Sequence, residues 1–250
     1  MQAQGSAPAA PVMLKPGVIS SYGNGWKQLW PHFLVLFLIG IIYFIISMVF
    51  SVPQQLAGLG GGKSVFLAIS IVFSFIGFFY SLLVVSPIGY GMQFAYLKAA
   101  RGDNVEIQDM FAAFKNYWNA VGASILVGII VVIGFIFLIV PGIIFACKLV
   151  FVPYLVVDKK MSVIEAIKES WHMTNGHAGT VFLIGLLAIP IVIAGLICLV
   201  VGVIISFMWV SMAVASLYHA VSKQRESGLG PTMPPTQTVI PPGASTILPA

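Results

Sequence analysis

Charged residues are scarce in this sequence. Only 8% of its 250 residues are Asp, Glu, Lys or Arg, whereas a soluble globular domain carries about 25%. Seven acidic and twelve basic side chains are too few to cover a soluble chain of this length, and the hydrophobic fraction reaches 59%. The mean hydropathy of +1.03 agrees with this. The composition therefore predicts an integral membrane protein.

Cysteines and basic runs are equally sparse. The two cysteines, Cys147 and Cys198, both lie inside apolar runs, which excludes a secreted disulfide framework. The longest basic run is Lys159–Lys160, so no nucleic-acid partner is predicted. The first apolar run, 33–52, is not followed by a small-residue cleavage site, which argues against a cleaved signal peptide.

Enzyme motifs are missing as well. The stretch Gly60–Ser64 superficially resembles a phosphate-binding loop, but it lacks the glycine spacing and is better interpreted as a flexible external turn. His172 and His177 are five positions apart with a glycine between them, which is poor geometry for sharing a metal. Interface anchoring or helix-end capping is therefore favoured over ligation. The other two histidines are His32 and His219. The sequence therefore predicts no catalytic residue, no cofactor and no metal site, and a protein that is not an enzyme.

Four long apolar runs define the predicted membrane domain. A helix needs about 20 residues to cross the hydrocarbon core, and the runs 121–157 and 178–221 are too long for one crossing, so each is interpreted as a hairpin. The prediction is an all-α polytopic membrane protein with six transmembrane helices arranged as three hairpins. The predicted spans are 33–52, 65–97, 121–140, 143–157, 178–196 and 199–221.

The positions of the basic residues predict the orientation. With six spans, all but two of the twelve Lys and Arg residues lie on one side. Lys63 lies on the other side and Lys148 within a span. Positive residues favour the cytoplasmic side, so both termini are predicted to be cytoplasmic. The residues on that side are Lys15, Lys27, Lys98, Arg101, Lys115, Lys159, Lys160, Lys168, Lys223 and Arg225.

A pattern repeats before each hairpin. Apolar residues recur at +3 and +4 spacing, which is one face of a helix, and each segment is predicted to be a cytoplasmic amphipathic helix lying at the interface. Internal duplication and convergence onto the same interfacial periodicity both explain the pattern. The three sets are Ile19, Tyr22 and Trp26; Ile107, Met110 and Phe114; Ile164, Ile167 and Trp171. The predicted interfacial anchors are Trp26, Trp30, Phe114, Trp118 and Trp171.

The third amphipathic segment has clear boundary signals. Ser162 and Glu165 have the spacing of a capping box, in which a hydroxyl and a carboxylate satisfy unpaired backbone donors. The pair Asn175–Gly176 predicts the end of the helix.

Several short motifs resemble those of a known family. The chain is similar, over about residues 18–221, to prokaryotic six-span proteins related to the membrane domain of glycerophosphodiester phosphodiesterases. The resemblance implies this fold and a place in a prokaryotic cytoplasmic membrane. It carries over no catalytic residue, because the hydrolase of the fused members is a separate domain that this sequence lacks. The motifs are Pro87–Gly91, Tyr96–Lys98, Arg101–Asp103, Ile107–Phe111, Pro141–Ile144, Asp158, Ala166, Ser170–Trp171 and Thr174–Gly176.

The flanks differ in composition from the membrane domain. Residues 1–17 are rich in Ala, Pro, Gln and Gly, and residues 222–250 are rich in Pro. Both are predicted to be disordered, since neither can bury enough apolar surface to fold alone. The C-terminal tail has an alternative interpretation as an extended segment that docks on a partner.

Lys148 breaks the pattern of its span. A charge inside the membrane is costly and faces a cavity, a partner or the bundle interior. No Asp or Glu falls in any predicted span, which also argues against an ion-coupled transporter. Lys148 is therefore either a snorkelling lysine with its stem buried or a contact for an anion or lipid.

Helix breakers and small residues complete the set of candidate features. The proline and glycine residues predict helix breaks at Pro87, Gly89, Gly91, Pro141, Gly142 and Pro190. Irregular backbone in a membrane lines a cavity or packs against protein, so these positions are candidate features. Ala194, Cys198, Gly202 and Ser206 fall four apart and form a small-residue seam, either within the last hairpin or against another subunit.

These features favour a non-enzymatic scaffold or accessory subunit of a membrane complex. Its expected partners are the lipid bilayer and either other membrane subunits or further copies of the chain. The alternatives are a lipid- or small-solute-handling protein that uses a cavity near Lys148, and a membrane anchor for a separately encoded enzyme.

Overall fold

The structure is a computed structural model that describes residues 15–58, 64–197 and 199–227. In these ranges the chain is helical almost throughout and contains no strand. The helices are α1 (Val18–Gly58), α2 (Ser64–Tyr80), a π-helical turn (Ser81–Val85), α3 (Ser86–Arg101), a 3₁₀ helix (Ile107–Asn116), α4 (Tyr117–Phe137), α5 (Ile139–Leu149), α6 (Val152–Asp158), α7 (Val163–Thr174), α8 (Ala178–Ile197) and α9 (Leu199–Glu226).

Six helical stretches are long and apolar enough to cross a membrane. The all-helical class and the number of apolar stretches able to span are thereby confirmed. Consecutive helices contact each other in the pairs α1 with α2, α4 with α5, and α8 with α9. The six stretches are Val18–Val49, Ser70–Arg101, Ile107–Phe137, Ile139–Asp158, Ala178–Ile197 and Gly202–Glu226.

The first amphipathic segment is not a separate helix. α1 runs without interruption from this segment through Pro31 into the first predicted span. A proline inside a helix costs about 3 kcal/mol. Leu29 and Leu36, on either side of Pro31, are both buried, so packing stabilises the helix before and after the proline.

The break predicted at Pro87 takes the form of a π-helical turn. The Ser86 N–H donates to the carbonyl of Ser81 across this turn, and Pro87 follows in the first turn of α3. A proline is tolerated there because it has no N–H to leave unpaired. The breaks predicted at Gly89 and Gly91 are absent, since both glycines lie inside α3.

The break predicted at Pro141–Gly142 lies earlier in the chain. Leu138 is extended, with φ −171° and ψ 153°, and it separates α4 from α5. Pro141 and Gly142 therefore fall in the first turns of α5, where proline does not interrupt the helix. Gly142 lies against α4, because a Cβ on Gly134 would be 2.9 Å from its Cα.

The last two helices nearly join. α8 continues through Pro190, where a break was predicted, and α9 extends to Glu226 into the segment predicted as tail. The residue between them, Cys198, lies outside the described residues, as do 59–63 of the predicted external turn and 1–14 and 228–250 of the predicted disordered flanks.

Two regions of the molecule differ in how their side chains are packed. Most buried side chains belong to what we call the packed region, residues 21–29, 86–116, 149–174 and 206–226. The apolar region consists of residues 41–49, 71–79, 129–140 and 182–197, and most of its large hydrophobic side chains are exposed.

Candidate functional site

Charged side chains tie the helices of the packed region together. Arg101, in the last turn of α3, donates from two nitrogens to the two carboxylate oxygens of Asp158 at 2.8 and 2.7 Å. The Tyr218 hydroxyl donates to the same carboxylate at 3.3 Å. The planar guanidinium matches a carboxylate in this two-point geometry, so one pair joins α3, α6 and α9.

Three further ion pairs lie in the same region. The Lys98 ammonium donates to Asp109 at 2.8 and 3.0 Å and joins α3 to the 3₁₀ helix. Arg225 donates to Glu169 at 2.8 Å and joins α9 to α7. The Lys159–Glu226 pair is longer, at 3.7 Å, and more exposed.

Of the three remaining acidic residues, two take part in helix caps. Glu165 accepts from the Ser162 N–H at 3.2 Å and from its hydroxyl at 2.8 Å, as the capping box predicted. These hydrogen bonds lower the pKa of the Glu165 carboxyl, because they stabilise its ionised form. Glu106 and Asp109 form a second capping box at the start of the 3₁₀ helix. The predicted helix end also holds, since α7 stops at Thr174 before Gly176, whose φ is +82°.

Lys148 lies in the last turn of α5, against the C-terminal end of α7. Its ammonium donates to the side-chain oxygen of Asn175 and lies 5.4 Å from the centre of the Trp171 ring, within the range of a cation–π interaction. The Ser170 hydroxyl donates to the Lys148 carbonyl at 2.7 Å, which fixes this backbone to α7. The sequence interpretation missed Asn175 and Trp171 as partners, although it had singled out both for other roles.

A small cleft lies beside this lysine site. It is lined by His172, Met173, Asn175, His177, Val221, Gln224 and Arg225. Its volume of about 10 Å³ accommodates no more than one water molecule. His177 Nδ1 is buried there without a hydrogen-bond partner among the described residues. No group of three or more metal-ligating side chains occurs in the described part of the chain.

The Tyr117 hydroxyl hydrogen-bonds a backbone carbonyl whose usual helical partner is replaced by a proline. Its hydroxyl donates at 2.9 Å to the carbonyl of Leu83, the residue four positions before Pro87. In a regular α-helix that carbonyl accepts from the N–H of the residue at position 87, which a proline lacks. The sequence interpretation placed a break here but did not identify the side chain that stabilises it.

The seam of small residues lies partly between α8 and α9. The Ser206 hydroxyl donates to the carbonyl of Ile191 at 3.0 Å. A Cβ on Gly195 would lie 2.6 Å from the carbonyl oxygen of Gly202. Gly195, which the sequence interpretation did not include, is therefore the contact residue on α8, whereas Ala194 is exposed.

The five predicted aromatic anchors are all exposed on the outer surface. Trp26 and Trp30 begin a row of touching rings along α1 that continues through Phe33 and Phe37. The neighbouring backbone is fixed, since the Trp209 indole N–H donates to the Tyr22 carbonyl at 3.0 Å. A second group of touching rings joins Phe111, Phe114, Tyr117 and Trp118.

The fold and these surfaces define the class of protein: an all-helical chain with six helical stretches compatible with a multi-pass membrane protein. Comparisons with protein-family models, with curated proteins and with solved structures return no significant match.

Proposed function

We propose that this protein is a non-enzymatic scaffold or accessory subunit of a membrane protein complex. In this proposal its six spans form three hairpins in a prokaryotic cytoplasmic membrane. Both termini face the cytoplasm, because the basic residues then lie on the cytoplasmic side. The three amphipathic segments lie at the interface, the first as the beginning of α1, the others as the 3₁₀ helix and α7.

The observation that carries the proposal is the structural use of the acidic residues. The sequence has seven acids, and all of them lie in the described ranges. Asp109, Asp158, Glu169 and Glu226 form ion pairs, and Glu106 and Glu165 take part in helix caps. Asp103 is the exception. Carboxylates that stabilise helix contacts in this way favour a rigid supporting role over acid–base chemistry.

The row of rings on α1 supplies a surface for a partner. Tryptophan is enriched where one protein or membrane surface meets another, and Trp30 is 55% exposed. Hydrogen bonds to neighbouring helices fix the start of α1, because the Asn24 amide donates to the Ala100 carbonyl and to the Ser216 hydroxyl, both at 3.0 Å. A partner helix would therefore meet a surface that is already ordered, which lowers the entropic cost of association.

The test is extraction of the full chain in native lipid nanodiscs, without detergent, followed by mass spectrometry of all proteins present. We expect one membrane protein at a fixed ratio to this chain. A chain that is recovered alone, at native abundance, would contradict the proposal. A partner with a catalytic domain of its own would identify this chain as the membrane anchor of that enzyme.

Two variants locate the contact. Trp30→Ala removes the centre of the row of rings and is expected to release the partner. Phe135→Ala is the matched control, because Phe135 is also an exposed aromatic residue but lies on α4. Equal loss in both variants would indicate a general effect on the membrane domain, and loss in neither would exclude this surface of α1.

A further inference from the structure

We propose that Lys148, Trp171 and Asn175 form a binding site for the phosphate group of an anionic membrane lipid. This inference does not depend on the scaffold role, since it concerns the lipid that the chain retains and not a protein partner.

Lys148 forms no ion pair with any described residue. Its partners among the described residues are the neutral Asn175 amide and the Trp171 ring. All seven acids of the sequence lie in the described ranges, and none of them forms an ion pair with this lysine. No acidic side chain of this sequence therefore supplies a counter-charge for Lys148.

The position of Lys148 suits a head-group contact. It belongs to the apolar stretch Ile139–Asp158, but its ammonium lies on Asn175 at the end of α7, the helix that we propose to lie at the interface. Its side chain is only half-buried, so the ammonium is accessible from outside the bundle. An ammonium has three N–H donors, and the contact with Asn175 uses one of them. Two donors are left to bind an anion.

The surroundings of the lysine suit a lipid. The Trp171 ring packs against Phe145 at 5.9 Å between centroids, and Ile144 on the same helix is exposed. Apolar surface next to a cation and a tryptophan matches an acyl chain next to a phosphate at the head-group level. An acidic protein side chain would find no matching polar rim on Ile144 or Phe145.

Contacts within the protein preorganise the site. The hydrogen bond from Ser170 holds the Lys148 carbonyl to α7, and Asn175 directly follows the end of that helix. The lysine and its two neighbours are thus fixed by contacts that exist before a ligand arrives. A fixed site loses less entropy on binding than a mobile surface lysine does.

The experiment measures lipid retention by native mass spectrometry. The full chain is reconstituted in vesicles with equal amounts of phosphatidylglycerol and phosphatidylcholine, extracted gently and analysed for bound lipid. We expect phosphatidylglycerol to be enriched about tenfold over phosphatidylcholine, as one charge-assisted hydrogen bond supplies. The enrichment should disappear in Lys148→Met and persist in Lys148→Arg.

The matched control is Lys115→Met, which removes a charge from an exposed lysine on the 3₁₀ helix. Enrichment that falls equally in Lys115→Met and Lys148→Met would indicate general electrostatic attraction and overturn the site. Unchanged enrichment in Lys148→Met would overturn it as well. Displacement of the signal by inorganic phosphate would show a site for the free anion and overturn the lipid assignment.

A folding check accompanies the variants. If Lys148→Met unfolds, Trp171→Leu keeps the lysine and removes the ring, and we expect a several-fold loss of enrichment with the melting temperature retained. Full enrichment in a folded Trp171→Leu variant would contradict the role of the ring and, with it, the proposed site.

Discussion

The packed region and the apolar region both contain large hydrophobic side chains, but they surround these side chains differently. Tyr96, Tyr154 and Tyr218 are fully buried by neighbouring helices in the packed region, whereas Phe137 and Ile197 in the apolar region are 77% and 80% exposed. All four ion pairs of the described residues lie in the packed region. Helix contacts in the packed region therefore involve charge as well as shape, whereas those in the apolar region depend on close approach at small residues such as Gly134 and Gly195. The exposed hydrophobic side chains of the apolar region suit a lipid environment.

The sharpest way to test this difference is to add one methyl group to each region. A Cβ on Gly91, in the packed region, would lie 1.8 Å from the carbonyl oxygen of Met110. We expect Gly91→Ala to lower the free energy of unfolding by about 3 kcal/mol or more, since overpacking against backbone forces helices apart. Thermal unfolding in nanodiscs measures this.

Gly185→Ala on α8, in the apolar region, is the control, because nothing outside its own helix lies within 4 Å of the added carbon. This variant is expected to be neutral or up to about 1 kcal/mol more stable, as alanine favours helix. Equal stability of the two variants would contradict the close approach of α3 to the 3₁₀ helix.

The second prediction concerns the ion pair between α3 and α6. Arg101→Met leaves the Asp158 carboxylate, which is mostly buried, without its strongest partner, and we expect a loss of about 1–3 kcal/mol. Chemical denaturation of the reconstituted protein measures it. Lys159→Met, which breaks the exposed pair with Glu226, should cost less than about 1 kcal/mol. A larger loss of stability in Lys159→Met than in Arg101→Met would contradict the expectation that the more buried ion pair contributes more.

The third prediction concerns the π-helical turn, which connects residues 71–79 of the apolar region to residues 86–116 of the packed region. Tyr117→Phe removes the hydroxyl that donates to Leu83, and we expect a loss of about 1–2 kcal/mol. In a Pro87→Ala background the restored N–H is available to the same carbonyl, so the cost of Tyr117→Phe should fall. A double-mutant cycle measures this coupling, and additive costs would show that the tyrosine and the proline act independently.

The smallest expected effect is at the N-terminus of α7. Hydrogen bonds from Ser162 lower the pKa of Glu165 below its usual value of 4.5. A depressed pKa stabilises the folded state when the carboxyl is ionised, so this contribution is present at neutral pH and is lost as the pH falls through the folded pKa. Titration of Glu165 by NMR should give a higher pKa in Ser162→Ala than in the wild type. An equal pKa in both proteins would contradict the role of the hydroxyl.

The local predictions that were correct depend on neighbouring residues. Ser162 with Glu165, and Thr174 with the following Asn175–Gly176, mark the beginning and end of α7 because capping involves atoms only a few residues apart. The predicted breaks at Gly89 and Gly91 are absent because helix continuity also depends on packing, and Ile88, Met92 and Ala95 of the same helix are buried. Pro31 illustrates this, since Leu29 and Leu36 around it are buried by other helices. The break predicted at Pro190 is absent as well.

The sequence by itself determined the membrane class, the all-helical fold and the number of stretches able to span, because composition and run length alone decide whether a segment is more stable in lipid than in water. The partners of Lys148, the Arg101–Asp158 pair and the contact of Tyr117 with Leu83 were decided only by the tertiary structure. Arg101 and Asp158 are 57 positions apart, and Lys148 and Asn175 are 27 apart. No local pattern encodes which distant side chain a charge will meet, since that depends on how the helices pack.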